Sequence, residues 1–416
     1  MRAAAALWLV LAAVVPAAAE RAIEVAGYLA RFDPETVPVW PLRLQLLVGG
    51  DDLEGPLVGA ARRRAEDAGN PARFFFYLSF SSLDSRCQCF ESDVLARLRR
   101  EHPEFLLRDA KGEIVSTFLD QLPPGRQLAT DVGNPAYVDW WADVTLETAQ
   151  RHGWDGVFAD NVIRGELRDG SWSAVPLDPR ARGAYETATY RADMLAALRR
   201  LRARYDEAGK LVIANHSAAW RTFEDDPVIR KQALVPHGVQ LEDFAFTFAG
   251  APHPEADWLR QLRYMDFLNR HGVLTWAGGE SLQHVDRREY ALASYLLTRR
   301  NRSVVGDMNA VVTWWPALAA DLGDARGGFY CLDPAKGFAR ADPCPAPGRI
   351  VGRDFGRARV LVNPGDRAQQ VPLGTPWRDL DGAPAPDPLP LGPHTGRVLL
   401  HDDHTASRTS SGRAER

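Results

Sequence analysis

Eight short apolar runs recur between Ile23 and Trp315, separated by longer amphipathic stretches, and this alternation constrains the fold more than any other feature. The runs are Ile23–Leu29, Leu42–Val48, Phe74–Phe80, Gly156–Val162, Leu211–Ser217, Val239–Phe244, Val273–Ala277 and Ala310–Trp315. Near-continuous apolar strands are buried on both faces, the condition of a parallel sheet covered by helices. Helix punctuation lies between them. Asn134-Pro135 reads as an N-cap followed by proline at the first helical position, and Gly153 ends that helix just before the next run. Leu195, Leu198, Leu201 and Tyr205 recur at helical spacing ahead of Gly209 and the strand at Leu211. Eight such units predict a closed (β/α)₈ barrel of TIM type over residues 20–320.

The pattern changes after Pro316. Short alternating runs at Arg349–Gly352, Ala358–Val362 and Arg397–Leu400 are separated by Gly, Pro and Asp, which predicts a small all-β, sandwich-like domain over 321–402. The polar segment 403–416 reads as a disordered tail. At the other end, Arg2, the apolar Leu7–Val15 and Ala17-Ala18-Ala19 form the three parts of a cleavable signal peptide, residues 1–19. Export to the periplasm or medium is therefore expected, and no later run is long enough to span a membrane. A net charge of −4 argues against a nucleic-acid partner, which needs a concentrated basic surface.

Export also permits disulfides. Cys331 and Cys344 bracket a plausible closed loop, whereas a bridge between Cys87 and Cys89 across one residue would be strained. No cluster with metal-ligand spacing, phosphate-binding glycine loop or nucleophile elbow is present, so neither metal nor cofactor is expected.

Barrel chemistry sits where strands end. The fourth run ends in Asp160-Asn161, the fifth in Asn215-His216, the sixth in Glu242-Asp243, the seventh leads to Glu280, and the eighth ends in Trp314-Trp315. Acids, amides and indoles at one rim suit hydrolysis of an oligosaccharide, which needs two carboxylates flanking the scissile bond. Each has a structural rival: Asp160 could cap a helix, Asp131 could order the turn before Asn134, and His216 could be a satisfied core residue. Trp276, Trp314, Trp315 and Tyr28 could stack on sugar rings or fill the barrel.

Asp131-Val132-Gly133-Asn134-Pro135 and Trp154-Asp155-Gly156-Val157-Phe158-Ala159-Asp160-Asn161 resemble the signature of the hypothetical glycoside hydrolases, which are similar to polygalactosaminidase and α-galactosidase-like barrels. Val360-Leu361-Val362-Asn363-Pro364, Trp377-Arg378-Asp379-Leu380-Asp381-Gly382 and Pro393-His394-Thr395-Gly396 resemble the β-domain that follows such barrels. The resemblance implies a two-carboxylate, retaining glycosidase with a poly- or oligosaccharide substrate, Asp160 as nucleophile and Glu242 as acid/base. Glu280 is the alternative acid, because other barrel glycosidases pair the fourth strand with the seventh. Asp131, Asn161, Asn215, His216, Asp243, Trp276, Trp314, Trp315 and Tyr28 are then candidate sugar contacts. The reading from another class is a non-catalytic carbohydrate-binding or envelope scaffold protein on a degenerate barrel.

Overall fold

The computed structural model describes residues 23–29, 44–49, 55–67, 69, 72–87, 90–118, 122–162, 167, 171–181, 183–216, 218–279, 282, 284–300, 302–307, 315–341, 344 and 348–401. Residues 1–19, read above as a signal peptide, and the polar segment 403–416 lie outside them.

Eight parallel strands close a barrel: β1 (Val25–Leu29), β2 (Leu44–Gly49), β3 (Arg73–Ser79), β4 (Gly156–Asp160), β5 (Leu211–Asn215), β6 (Gly238–Leu241), β7 (Leu274–Ala277) and β8 (Ser303–Asp307). They pair in chain order, and β8 returns to β1 through Val25↔Val305. Side chains alternate across each strand. Phe74, Phe76 and Leu78 of β3 face outward into the core shared with the helices. Phe75, Phe158, Ile213, Trp276, Val304 and Ala26 fill the interior. β4 and β5 approach so closely that a Cβ on Gly156 would run into the Leu211 carbonyl.

The last strand differs from the expectation of Ala310–Trp315. Ser303 follows the last helix by a short turn, and short connections are the rule between helix and strand in such units. The later run is richer in apolar residues than Val304-Val305, whose neighbours are Ser303 and Gly306. Residues 308–314 lie outside the described set.

The outer ring contains α1 (Gly55–Asp67), α2 (Phe90–Glu101), α3 (Pro135–His152), α4 (Thr187–Glu207), α5 (Pro227–Ala233), α6 (Glu255–Arg270) and α7 (Arg288–Thr298). At α3 the Asn134 side chain accepts from Ala136 N and left-handed Gly153 closes the helix, as the sequence predicted. Between β3 and β4 the chain adds a small antiparallel sheet, Ser82–Asp84, Ser116–Thr117 and Gln127–Ala129, which the periodicity did not announce.

Beyond the barrel come β9 (Ala325–Asp333), β10 (Ala339–Ala341), β11 (Ile350–Phe355), β12 (Ala358–Asn363), β13 (Gln369–Val371), β14 (Trp377–Arg378), β15 (Leu389–Leu391) and β16 (Thr395–His401). Six form an antiparallel sheet in the order β10-β9-β11-β12-β16-β14, and β13 pairs with β15. One face of the large sheet shares Ile350, Leu361 and Leu399 with Val371, Leu389 and Leu391 of the small one, giving the sandwich. The other face, with Val351, Val360 and Val398, joins the barrel core. Cys331 and Cys344 are bonded to each other, and Cys87 is also in a disulfide; Cys89 lies outside the described residues.

Buried Arg353 ties the two parts together. Its guanidinium donates to the carbonyls of Leu296, Leu297 and Arg299 at 3.1, 3.2 and 2.8 Å, satisfying the open C-terminal end of α7. Burial lowers its pKa to about 10, so it stays charged at neutral pH. Arg353→Met keeps the aliphatic stem but strands three carbonyls. Stability should fall by about 2–4 kcal/mol, read as a lower urea midpoint. An unchanged midpoint would remove this cap from the account.

Candidate functional site

The period of two along each strand builds the site in layers above the barrel floor. Tyr77 stands two residues beyond Phe75, Asp160 two beyond Phe158, and Asn215 two beyond Ile213. Glu242 follows β6 by one residue and stands two beyond buried Gln240. One side-chain nitrogen joins the acids: Asn215 Nδ2 donates to Asp160 Oδ1 at 2.8 Å and to Glu242 Oε2 at 2.8 Å. Both oxygens lie 2.8 Å from the same nitrogen, so they stand no more than 5.6 Å apart. The Tyr77 hydroxyl donates to Asp160 Oδ2, and its ring stacks on Phe158 with centroids 6.1 Å apart.

The electrostatics divide the acids into two roles. Burial raises the Asp160 carboxyl, while donors from Tyr77, the Asn161 backbone and Asn215 favour its anion. Burial, then the charge of Asp160, lift Glu242 to about 7; its one opposing donor is Asn215. Two buried carboxylates this close do not both ionise readily. The richer donor set assigns the charge to Asp160 and the retained proton to Glu242.

The other candidates are distributed around this pair. Asn161 takes a left-handed backbone (φ 56°) and turns Nδ2 to Ser79 and Ser82, at 3.2 and 3.1 Å, so it braces the β3–β4 rim. Asp243 accepts from Trp220 at 3.2 Å and sits 3.4 Å from His253. His216 is buried against Gln232 and Tyr264, at 3.0 and 3.3 Å. Asp131 is buried before α3, bonded to Gly133 N, and burial pushes it up to about 6; its charged neighbours are Arg180, Asp193 and Asp178 rather than the pair. Trp276 is fully buried in the barrel floor on Phe158, so its ring faces are covered. Trp315 is half-buried with the Arg288 guanidinium 4.6 Å over its ring. Glu280, Trp314 and the side chain of Tyr28 lie outside the described residues.

Tyr77, Ser79 and Glu91 escaped the sequence reading. Tyr77 was legible in principle, since it shares the inward row of Phe75, but a tyrosine within Phe-Phe-Phe-Tyr-Leu reads as apolar filling. Glu91 lies in the first turn of α2, and only tertiary packing buries it against the Asp84 backbone. Among the described residues, no three His, Cys, Asp or Glu side chains converge to hold a metal.

A closed barrel with paired acids at the carboxyl ends of β4 and β6 has the layout of a glycoside-hydrolase-like protein. The chain belongs to hypothetical glycosyl hydrolase family 15, whose profile matches residues 71–341. No curated protein matches it. Among solved structures, it is similar in fold to a noncanonic maltogenic α-amylase, AmyB, from Thermotoga neapolitana, with 11% identity, TM-score 0.50, and 91% of this chain and 98% of that one covered. The glycoside hydrolase domain of PelA from Pseudomonas aeruginosa also matches, at 16% identity and TM-score 0.44 over 70% of this chain and 96% of that one. So does Aspergillus fumigatus Ega3 in complex with galactosamine, at 14% identity and TM-score 0.43 over 71% and 94%.

Proposed function

We propose that the protein is an exported glycosidase that cleaves a poly- or oligosaccharide with retention, Asp160 attacking the anomeric carbon and Glu242 protonating the departing oxygen. The observation that carries this reading is the bridge from Asn215 Nδ2 to both carboxylates. A retaining pair stands about 5–5.5 Å apart and an inverting pair about 6.5–9.5 Å, so the spread across one amide nitrogen supports retention. The reading of residues 1–19 as a leader supports export. N-terminal sequencing of exported protein should begin at Glu20, and an intact Met1 would contradict it.

The pair also sets the pH profile. Glu242 must carry its proton to act as acid, so activity should decline as pH rises through about 7. Asp160 must be ionised to attack, and its raised carboxyl moves the acid limb above that of an ordinary aspartate. A narrow bell is expected for kcat/KM. A profile flat from about pH 5 to 9 would contradict these roles. Screening mature protein against bacterial exopolysaccharides for new reducing ends tests the activity itself. Binding without cleavage would favour the scaffold reading.

A further inference from the structure

The Asn215 bridge does not by itself tell the two acids apart. Its amide nitrogen carries two protons, and one goes to Asp160 Oδ1 and the other to Glu242 Oε2, each at 2.8 Å. Both acids thus receive the same donor at the same distance. The asymmetry comes from β3. Tyr77 pairs in register with Phe158 of β4, and the two rings stack at 26° with centroids 6.1 Å apart. From that stack the Tyr77 hydroxyl donates to Asp160 Oδ2, the oxygen that Asn215 leaves open. Glu242 has no second side-chain donor among the described residues.

We propose that Tyr77 is a positioning residue that places the charge of the pair on Asp160, by giving that carboxylate a hydrogen bond to which Glu242 has no counterpart. The proposal deepens the reading of Asp160 as nucleophile and Glu242 as acid, and rests on it. A phenol O–H bonds a carboxylate more strongly than a neutral carboxyl, so it stabilises the anion of the acid it touches. Two acids joined through one nitrogen titrate as a pair, and the first proton to leave comes from the better-stabilised anion. With Tyr77 on Asp160, the proton that remains sits on Glu242. Tyr77 acts through Asp160 alone.

The other titratable groups facing the pair are acids. Asp243, next to Glu242, raises it by its charge, and its own carboxylate is turned toward Trp220 at 3.2 Å and His253 at 3.4 Å. Glu91 of α2 is lifted to about 8 by burial, so at neutral pH it sets no second anion beside Asp160. No arginine, lysine or histidine among the described residues bears on either member of the pair. Asp160 is therefore held as an anion by hydrogen bonds and not by a cation. Of its side-chain donors, Tyr77 is the one not shared with Glu242. A tyrosine that merely filled the barrel beside Phe158 would be replaced by phenylalanine without consequence for either acid.

The test needs no substrate, so it stands apart from the glycosidase reading. Protein carrying ¹³C at the Asp and Glu carboxyl carbons is titrated by NMR, with signals assigned through Asp160→Asn and Glu242→Gln. In wild type Asp160 should ionise first and Glu242 second. Tyr77→Phe keeps the ring on Phe158 and removes the hydroxyl. Its Asp160 carboxyl should titrate about one pH unit higher, a tenfold loss of anion at a given pH, and the interval between the two acids should narrow. Asn215→Ala takes one donor from each acid and leaves Tyr77 in place, so Asp160 should still ionise first; this order carries the test if Tyr77→Phe does not fold. Asp160 titrating alike in wild type and Tyr77→Phe, or Glu242 ionising first in wild type or in Asn215→Ala, would overturn the proposal. A failure of the glycosidase reading shows differently, as the expected titrations in a protein that cleaves no glycan.

Discussion

Asp160→Asn is expected to reduce turnover of a confirmed substrate by roughly three or more orders of magnitude while the protein stays folded. The amide matches the carboxylate in size, and its oxygen can still accept from Asn215 or Tyr77. It cannot form a glycosyl ester, so a retaining enzyme loses its first step outright. A second signature accompanies the loss. The charge of Asp160 is one cause of the high pKa of Glu242, so removing it should move Glu242 down from about 7 toward the ordinary glutamate range. Carboxyl titration by NMR reads that shift even in a dead enzyme. Normal activity in Asp160→Asn would mean that the nucleophile lies elsewhere.

Glu242→Gln should behave differently because its role depends on the leaving group. Natural glycosides with alcohol leaving groups need protonation of the departing oxygen, and their kcat/KM should fall by roughly 10²–10⁴-fold. Aryl glycosides with acidic phenols need little protonation and should keep most of their kcat/KM. Their kcat should still drop, since water attacking the intermediate loses its general base, and a burst of phenol should precede the slow steady state. Equal losses on both substrate types would remove Glu242 from the acid/base role. Glu280→Gln, carried through the same comparison, would then be the variant to show the asymmetry.

How much of this was legible follows from the burial of each element. Parallel barrel strands are covered on both faces, so β3, β4 and β5 appear as apolar runs, and the polar residues that end β4 and β5, Asp160 and Asn215, mark the rim. Glu242 was readable for the same reason, one residue past β6. β8 was not, because its two valines sit between Ser303 and Gly306 while a more apolar run follows. Trp276 and His216 could have faced either way, and inward packing against Phe158 and against Gln232 and Tyr264 decided their places. Glu91 and Arg353 could not be read at all. Each is a charged-type residue on an amphipathic or alternating element, and only the packing of α2 on β3, or of β11 on α7, reveals that it is buried.

The most direct measurement is the identity of the residue that carries the sugar during turnover. Glu242→Gln protein, supplied with an activated aryl glycoside of the confirmed sugar and quenched in acid, should yield an Asp160-containing peptide heavier by one glycosyl residue. ¹H NMR of the first product formed by wild type should show the anomer of the substrate. A label on any other residue, or a first product of inverted configuration, would contradict the account.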